Sequence, residues 1–144
     1  MAINTQKVIV GGLAAGVVMN VVDFVLNMYV VGDRMKNEMN AVAPGLADKM
    51  MTTSAMVTYI IMDFVLGILL VWLYAAIRPR FGPGPGTAIK GALFSWVLVS
   101  LAYAGYLMSG MTSPTTWCML AVAGLINFSL GSWVGAKLYS EPAV

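Results

Sequence analysis

Four long apolar stretches constrain this chain more than any other feature: Lys7–Val31, Ser54–Ile77, Ala88–Gly110 and Thr115–Leu138. Each is about 23 to 25 residues long. As a helix each would span roughly 35 Å, enough to cross a bilayer with some tilt. A membrane barrel would need polar and apolar residues alternating with period two, and runs such as VLGILLVWL (65–73) show no alternation. Composition agrees, with 60% hydrophobic and 10% charged residues and a mean hydropathy of +0.84. A soluble surface takes roughly 25% charged residues, so this chain cannot cover itself with one. The expected fold is all-α, an integral membrane four-helix bundle forming a single domain over residues 1–144. The first stretch is read as a helix rather than a secretion signal. Its apolar run is too long for a signal core, and no small-x-small site precedes Asp23.

Charge placement predicts the orientation. Lys7, Arg78, Arg80, Lys90 and Lys137 fall on the side of the termini, against Arg34, Lys36 and Lys49 on the other. The positive-inside rule then puts both termini in the cytoplasm, and the expected location is a bacterial inner membrane. Trp72, Tyr74, Trp96, Trp133 and Tyr139 fit the inner interface, and Tyr29, Tyr59 and Trp117 the outer one.

The connections differ in kind. The loop 32–53 is the only long one; Asp33 is expected to cap a short interfacial helix with Met35, Met39 and Val42 on one face, broken at Pro44-Gly45. RPRFGPGPGT (78–87) ends one helix before Thr87 caps the next, and it lacks the GK[ST] ending of a phosphate cradle. Ser113-Pro114 reads as a helix start, with serine at the cap and proline at the first helical position.

Residue types exclude much chemistry. The chain has no histidine and one cysteine, Cys118, so an intramolecular disulfide, a CxxC site and histidine ligation of haem or chlorophyll are all excluded. No cofactor and no metal site is expected. Twelve methionines include Met28, Met35, Met39, Met50 and Met51 toward one side, but with no MxM or histidine they read as apolar filler.

Against this background one tetrapeptide stands out. DFVL occurs at Asp23–Leu26 and again at Asp63–Leu66, in two of the most apolar stretches. Counted from the helix ends, both acids are expected at nearly the same depth, in the outer half of the bilayer. Asn20, Asp23 and Asn27 form one polar stripe, and Asp63, Tyr103, Tyr106 and Asn127 can come to a similar level. No basic residue lies at that depth. An unpaired carboxylate there costs about 3 kcal/mol on insertion scales, so a neutral acid hydrogen-bonded to asparagine, tyrosine or a carbonyl is the expected state. Such a layer can hold helices in register, or its two acids can carry protons or cations. INFSLG (126–131) also matches MDFVLG (62–67), pairing Asn127, Phe128, Leu130 and Gly131 with Asp63, Phe64, Leu66 and Gly67. Two small-residue spacings, Gly12-x-x-x-Gly16 and Gly131-x-x-x-Gly135, predict close contact between the first and fourth helices.

GGLAAGVVMNVVDFVLN (11–27) and WLYAAIRPRFGPGPGT (72–87) resemble a family of small, uncharacterised bacterial four-helix membrane proteins. The resemblance covers about two-thirds of the chain and implies topology and bacterial origin, without an activity. The function expected from the residues is non-catalytic: an accessory or structural subunit of a larger bacterial membrane complex, an energy-transducing one being a candidate. Its expected partners are lipid and other membrane subunits, not nucleic acid. The alternative is a small oligomeric proton- or cation-coupled transporter using Asp23 and Asp63.

Overall fold

A computed structural model describes residues 3–140, and every regular element in it is helical. The elements are α1 (Thr5–Leu26), a π-helical turn (Asn27–Val31), α2 (Gly32–Val42), α3 (Leu46–Met50), α4 (Thr53–Phe81), α5 (Pro85–Met108) and α6 (Pro114–Leu138). Four helices are long and apolar enough to cross a membrane, the first of them running without a break from Thr5 to Val42.

Side chains start the helices where their orphan backbone N–H groups need acceptors. Asn4 accepts from the Lys7 N–H at 3.2 Å, Thr52 from Ala55 at 3.3 Å and Ser113 from Thr116 at 3.2 Å. Ser113-Pro114 thus opens α6 as its sequence predicts. Two expected caps are corrected. Asp33 lies inside the continuous helix, because the π turn carries the backbone through Gly32 without an N-terminus to cap. Thr87 also lies inside its helix, which begins at Pro85. Its hydroxyl instead donates back to the carbonyls of Gly82 (2.8 Å) and Phe81 (3.3 Å), tying the α4–α5 hairpin shut.

The bundle is tight at the end that carries the termini and loose at the other. One core cluster there gathers Val8, Ala15, Val71, Tyr74, Ala75, Ala88, Ala136 and Tyr139, and a second joins Met19, Leu70, Ala92 and Phe128. Tyr139 meets Tyr74 edge-on at 5.9 Å, and the Arg78 guanidinium lies 5.7 Å from the centre of the Tyr139 ring. Toward the opposite end burial shifts away from α4 and α5, while Val31, Ala47 and Thr116 remain buried there. No residue of α4 before Asp63 is buried, and the buried residues of α5 are Thr87, Ala88, Gly91 and Ala92, all in its first two turns.

Glycines set the closest approaches, and they correct the expected pairing. A Cβ on Gly12 would lie 2.5 Å from the Ile68 Cα, one on Gly16 2.8 Å from the Phe64 Cα, and one on Gly67 2.5 Å from the Gly12 carbonyl oxygen. Gly12 and Gly16 therefore face α4. The contact between α1 and α6 exists, but on the α1 side it runs through Gly11, Ala15 and Met19. A Cβ on Gly11 would lie 2.6 Å from the Gly135 carbonyl oxygen, and one on Gly131 2.9 Å from Met19. The reason is angular: neighbouring helical residues are about 100° apart, so Gly11 and Gly12 look at different neighbours.

Candidate functional site

The polar layer is assembled by α1, which lies between α4 and α6. Contacts of Gly12 with Ile68, Gly16 with Phe64 and Asn20 with Ile60 fix an antiparallel register between α1 and α4. In that register Asp63 comes level with Val17, whereas Asp23 comes level with Val57. Six residues of helix rise, about 9 Å, separate the two backbone levels. The expectation of equal depth is thus corrected, because depth counted from helix ends ignores how far each helix extends past the bundle. Side chains narrow the gap. Each Cα–Cβ bond tilts toward the N-terminus of its helix, and in antiparallel helices that leans the two acids toward one another. Asp63 is within electrostatic reach of Asp23.

The partners of the two acids differ. Asn127 of α6 donates from Nδ2 to Asp23 Oδ1 at 2.6 Å, a bond between two spanning helices. Asn127 is only 3% exposed, and its Oδ1 is buried with no hydrogen-bond partner among the described residues. Asp63 is 8% exposed. Its carboxyl makes no hydrogen bond among the described residues.

The remaining members of the expected layer are placed otherwise. Asn20 Nδ2 donates to the Gly16 carbonyl at 2.9 Å and across to the Ile60 carbonyl of α4 at 3.3 Å. Asn27 Nδ2 donates to the backbone carbonyl of Asp23 at 2.9 Å, within its own helix. Both asparagines thus bind backbone and leave the carboxyls alone. Tyr103 and Tyr106 pack on each other with ring centroids 5.6 Å apart and are about half exposed; they make no hydrogen bond to either acid among the described residues, though Tyr103 is within electrostatic reach of Asp23. The structure therefore unites Asp23, Asn127 and, through Asn20, the α4 backbone, with Asp63 one step deeper.

A second polar cluster has no counterpart in the sequence reading. Glu38 of α2 accepts from Ser113 Oγ and Thr116 Oγ1 at 2.6 Å each, from Thr112 Oγ1 at 2.9 Å and from the Ser113 N–H at 3.3 Å. A carboxylate thus sits on the N-terminus of α6, where orphan N–H groups and the helix dipole favour negative charge. Ser113 and Thr116 were legible as cap residues; that an acid more than 70 residues earlier completes the cap was not.

No family model, no characterised protein and no solved structure matches the chain.

Proposed function

We propose that this chain is a non-catalytic integral membrane protein, an accessory subunit of a larger bacterial inner-membrane complex, with both termini cytoplasmic. The supporting observation is the uneven packing of the bundle. From Thr53 to Met62 α4 has no buried residue, and beyond Ala92 α5 has only half-buried ones such as Trp96 and Val99 on the side of the core, so both present large apolar side chains such as Ile61 (56% exposed) and Leu101 (66%) on their other sides. The exposed stretches of α4 and α5 thus offer two helix faces to neighbouring helices, where packing and interhelical hydrogen bonds drive association. Photo-crosslinkers placed at Ile61 and Leu101 in the native membrane, with Val71 as the buried control, test this. Discrete adducts with another membrane protein are expected at the first two sites. Lipid adducts alone at both would remove the subunit reading.

A specific observation also favours a second reading, a proton or cation carrier. A layer serving only as glue satisfies its polar groups, since unsatisfied ones cost stability. Here Asp63 and Asn127 Oδ1 have no hydrogen-bond partner among the described residues. Flux in proteoliposomes that disappears in a folded Asp63→Asn variant would support carriage. Absence of any gradient-driven proton or cation flux would dismiss it.

A further inference from the structure

The two ends of the bundle differ in charge. Around α2 and α3 stand Asp33, Arg34, Lys36, Glu38, Asp48 and Lys49, three acids against three bases. Around the end that carries the termini stand Lys7, Arg78, Arg80, Lys90 and Lys137, five bases with no acid among the described residues. Glu141 lies outside those residues, and counting it against the five still leaves a net side-chain charge of +4. Lys7, Arg80, Lys90 and Lys137 are exposed. Residues 82–84 alone join α4 to α5, so no long loop carries these charges away from the helix ends.

Two of the ammonium groups are held against outward-facing rings. Lys90 Nζ lies 5.4 Å from the centre of the Phe81 ring, and Lys137 Nζ 3.7 Å from that of Trp133. Phe81 is 51% exposed and Trp133 39%. Ser132 Oγ donates to the Ala88 carbonyl at 2.9 Å, and in the antiparallel register this sets, Trp133 comes level with Thr87. Side chains lean toward the N-terminus of their own helix. Lys90 therefore leans outward toward the level of Thr87, and Lys137 leans inward over Trp133. The two ammonium groups arrive at about one depth on adjacent helices. Indole rings favour the headgroup level of a bilayer, so that depth is the depth of lipid phosphates.

We infer that the end carrying the termini, through Lys90 and Lys137, selects the headgroups of anionic phospholipids. A zwitterionic headgroup also carries a phosphate but cancels it with its own ammonium group. A net negative headgroup keeps its charge for the protein, and basic clusters beside spanning helices draw such lipids. Each cation near the surface is worth roughly fivefold in lipid occupancy. The other end, with its charges balanced, has no such preference. Lipid fits better than an acidic soluble partner because these cations lie on helix flanks beside exposed rings, not on a protruding loop. The inference rests on the four helices spanning the membrane; it needs neither the subunit nor the carrier reading, nor a particular side for the termini.

Electron spin resonance of the full-length chain in phosphatidylcholine bilayers tests it, with trace spin-labelled phosphatidylglycerol or phosphatidylcholine as the probe. The fraction of motionally restricted probe reads the lipid in contact with protein. Phosphatidylglycerol is expected to be selected about fivefold at about 0.1 M salt, and less than about twofold at about 1 M, where the Debye length falls to roughly 3 Å. The pair Lys90→Gln and Lys137→Gln is expected to lower the selectivity to about twofold or less. The pair Lys90→Arg and Lys137→Arg, which keeps the charges, is expected to retain it, as is Arg34→Gln with Lys36→Gln at the other end. Size-exclusion profile and helix content identify variants that remain folded. Equal restriction of the two probes by the wild-type chain overturns the inference. So does selectivity that survives the glutamine pair or about 1 M salt, or that disappears with Arg34 and Lys36. Saturable binding of polyglutamate without lipid selectivity would assign this end to an acidic protein partner instead. No restricted lipid of either kind would refute the spanning reading, and this inference with it.

Discussion

Replacing Glu38 should loosen the α2 end of the molecule while leaving the spanning core intact. Its carboxylate collects three hydroxyl hydrogen bonds at 2.6, 2.6 and 2.9 Å and one backbone bond at 3.3 Å. A hydrogen bond to a charged group is worth about 1.5–3 kcal/mol when buried. Glu38 is half-exposed, though, and water replaces much of what is lost on substitution. Helix-terminus charge adds about 0.3–1 kcal/mol. Glu38→Ala should therefore cost about 1–2 kcal/mol, and Glu38→Gln, which keeps one acceptor and loses the charge, about half of that. The cost is local, so hydrogen exchange reads it better than global unfolding does. Amides of α2 and of Thr115–Trp117 should exchange about 5- to 30-fold faster in Glu38→Ala, the range that 1–2 kcal/mol implies. Asp33→Ala is the control, since Asp33 is exposed and makes no side-chain hydrogen bond among the described residues. Equal protection in the two variants would show that α2 is held by something other than its grip on α6.

Three further outcomes follow from the packing and the topology. Gly67→Ala should destabilise the bundle by about 1–3 kcal/mol in a detergent unfolding titration, because the new methyl meets the Gly12 carbonyl oxygen at 2.5 Å and the Gly16 nitrogen at 2.6 Å. Gly124→Ala, whose nearest neighbour is Trp96 at 3.5 Å, should cost little; equal effects would contradict the α1–α4 contact. Asn20→Leu should cost about 0.5–1 kcal/mol, the size of one interhelical hydrogen bond in a membrane bundle, and no change would show that the bond to the Ile60 carbonyl contributes nothing. For the proposed cytoplasmic termini, an impermeant thiol reagent added outside cells should modify a cysteine replacing Asn40 and spare one replacing Gly84; the reverse pattern would invert the topology.

The spans were legible because crossing a bilayer demands length and apolarity, which can be counted along the chain. What faces what was not. Between Val8 and Met19 α1 is apolar all round, so that part of its sequence offers no stripe to mark an inward face, and Gly12-x-x-x-Gly16 suits α6 as well as α4. Gly11, outside that spacing, is the residue that meets Gly135. Asp23 and Asp63 were recognisable as a layer, yet their 9 Å offset depends on an inter-helix register that no single helix encodes. Tyr103 comes within electrostatic reach of Asp23 without bonding to it, a distinction that a count of depth cannot make. Glu38 stayed hidden for a similar reason, since its partners at Thr112, Ser113 and Thr116 become neighbours only through folding.

The π turn links the two polar clusters. At Asn27–Val31 the chain takes one residue more per turn than an α-helix allows, and such bulges are frequent at functional sites. One extra residue rotates everything after it by about 100°. Below the turn, α1 aims Asp23 at Asn127 of α6; above it, α2 aims Glu38 at Ser113 and Thr116 of the same helix. Gly32 closes the turn, since a side chain there would collide with the Asn27 carbonyl oxygen. The motif shared by α4 and α6 fits this arrangement. Both helices run antiparallel to α1, and each sets its glycine, Gly67 or Gly131, against it. Each also brings one polar residue, Asp63 or Asn127, to the layer four positions earlier. The two halves diverge in what that residue does: the amide of Asn127 donates to Asp23, whereas the carboxyl of Asp63 makes no hydrogen bond among the described residues. One acid is thereby fixed and the other left open. On the proposed carrier reading, Asp63 is the acid free to exchange its proton or a cation while the bond from Asn127 to Asp23 keeps α1 and α6 together.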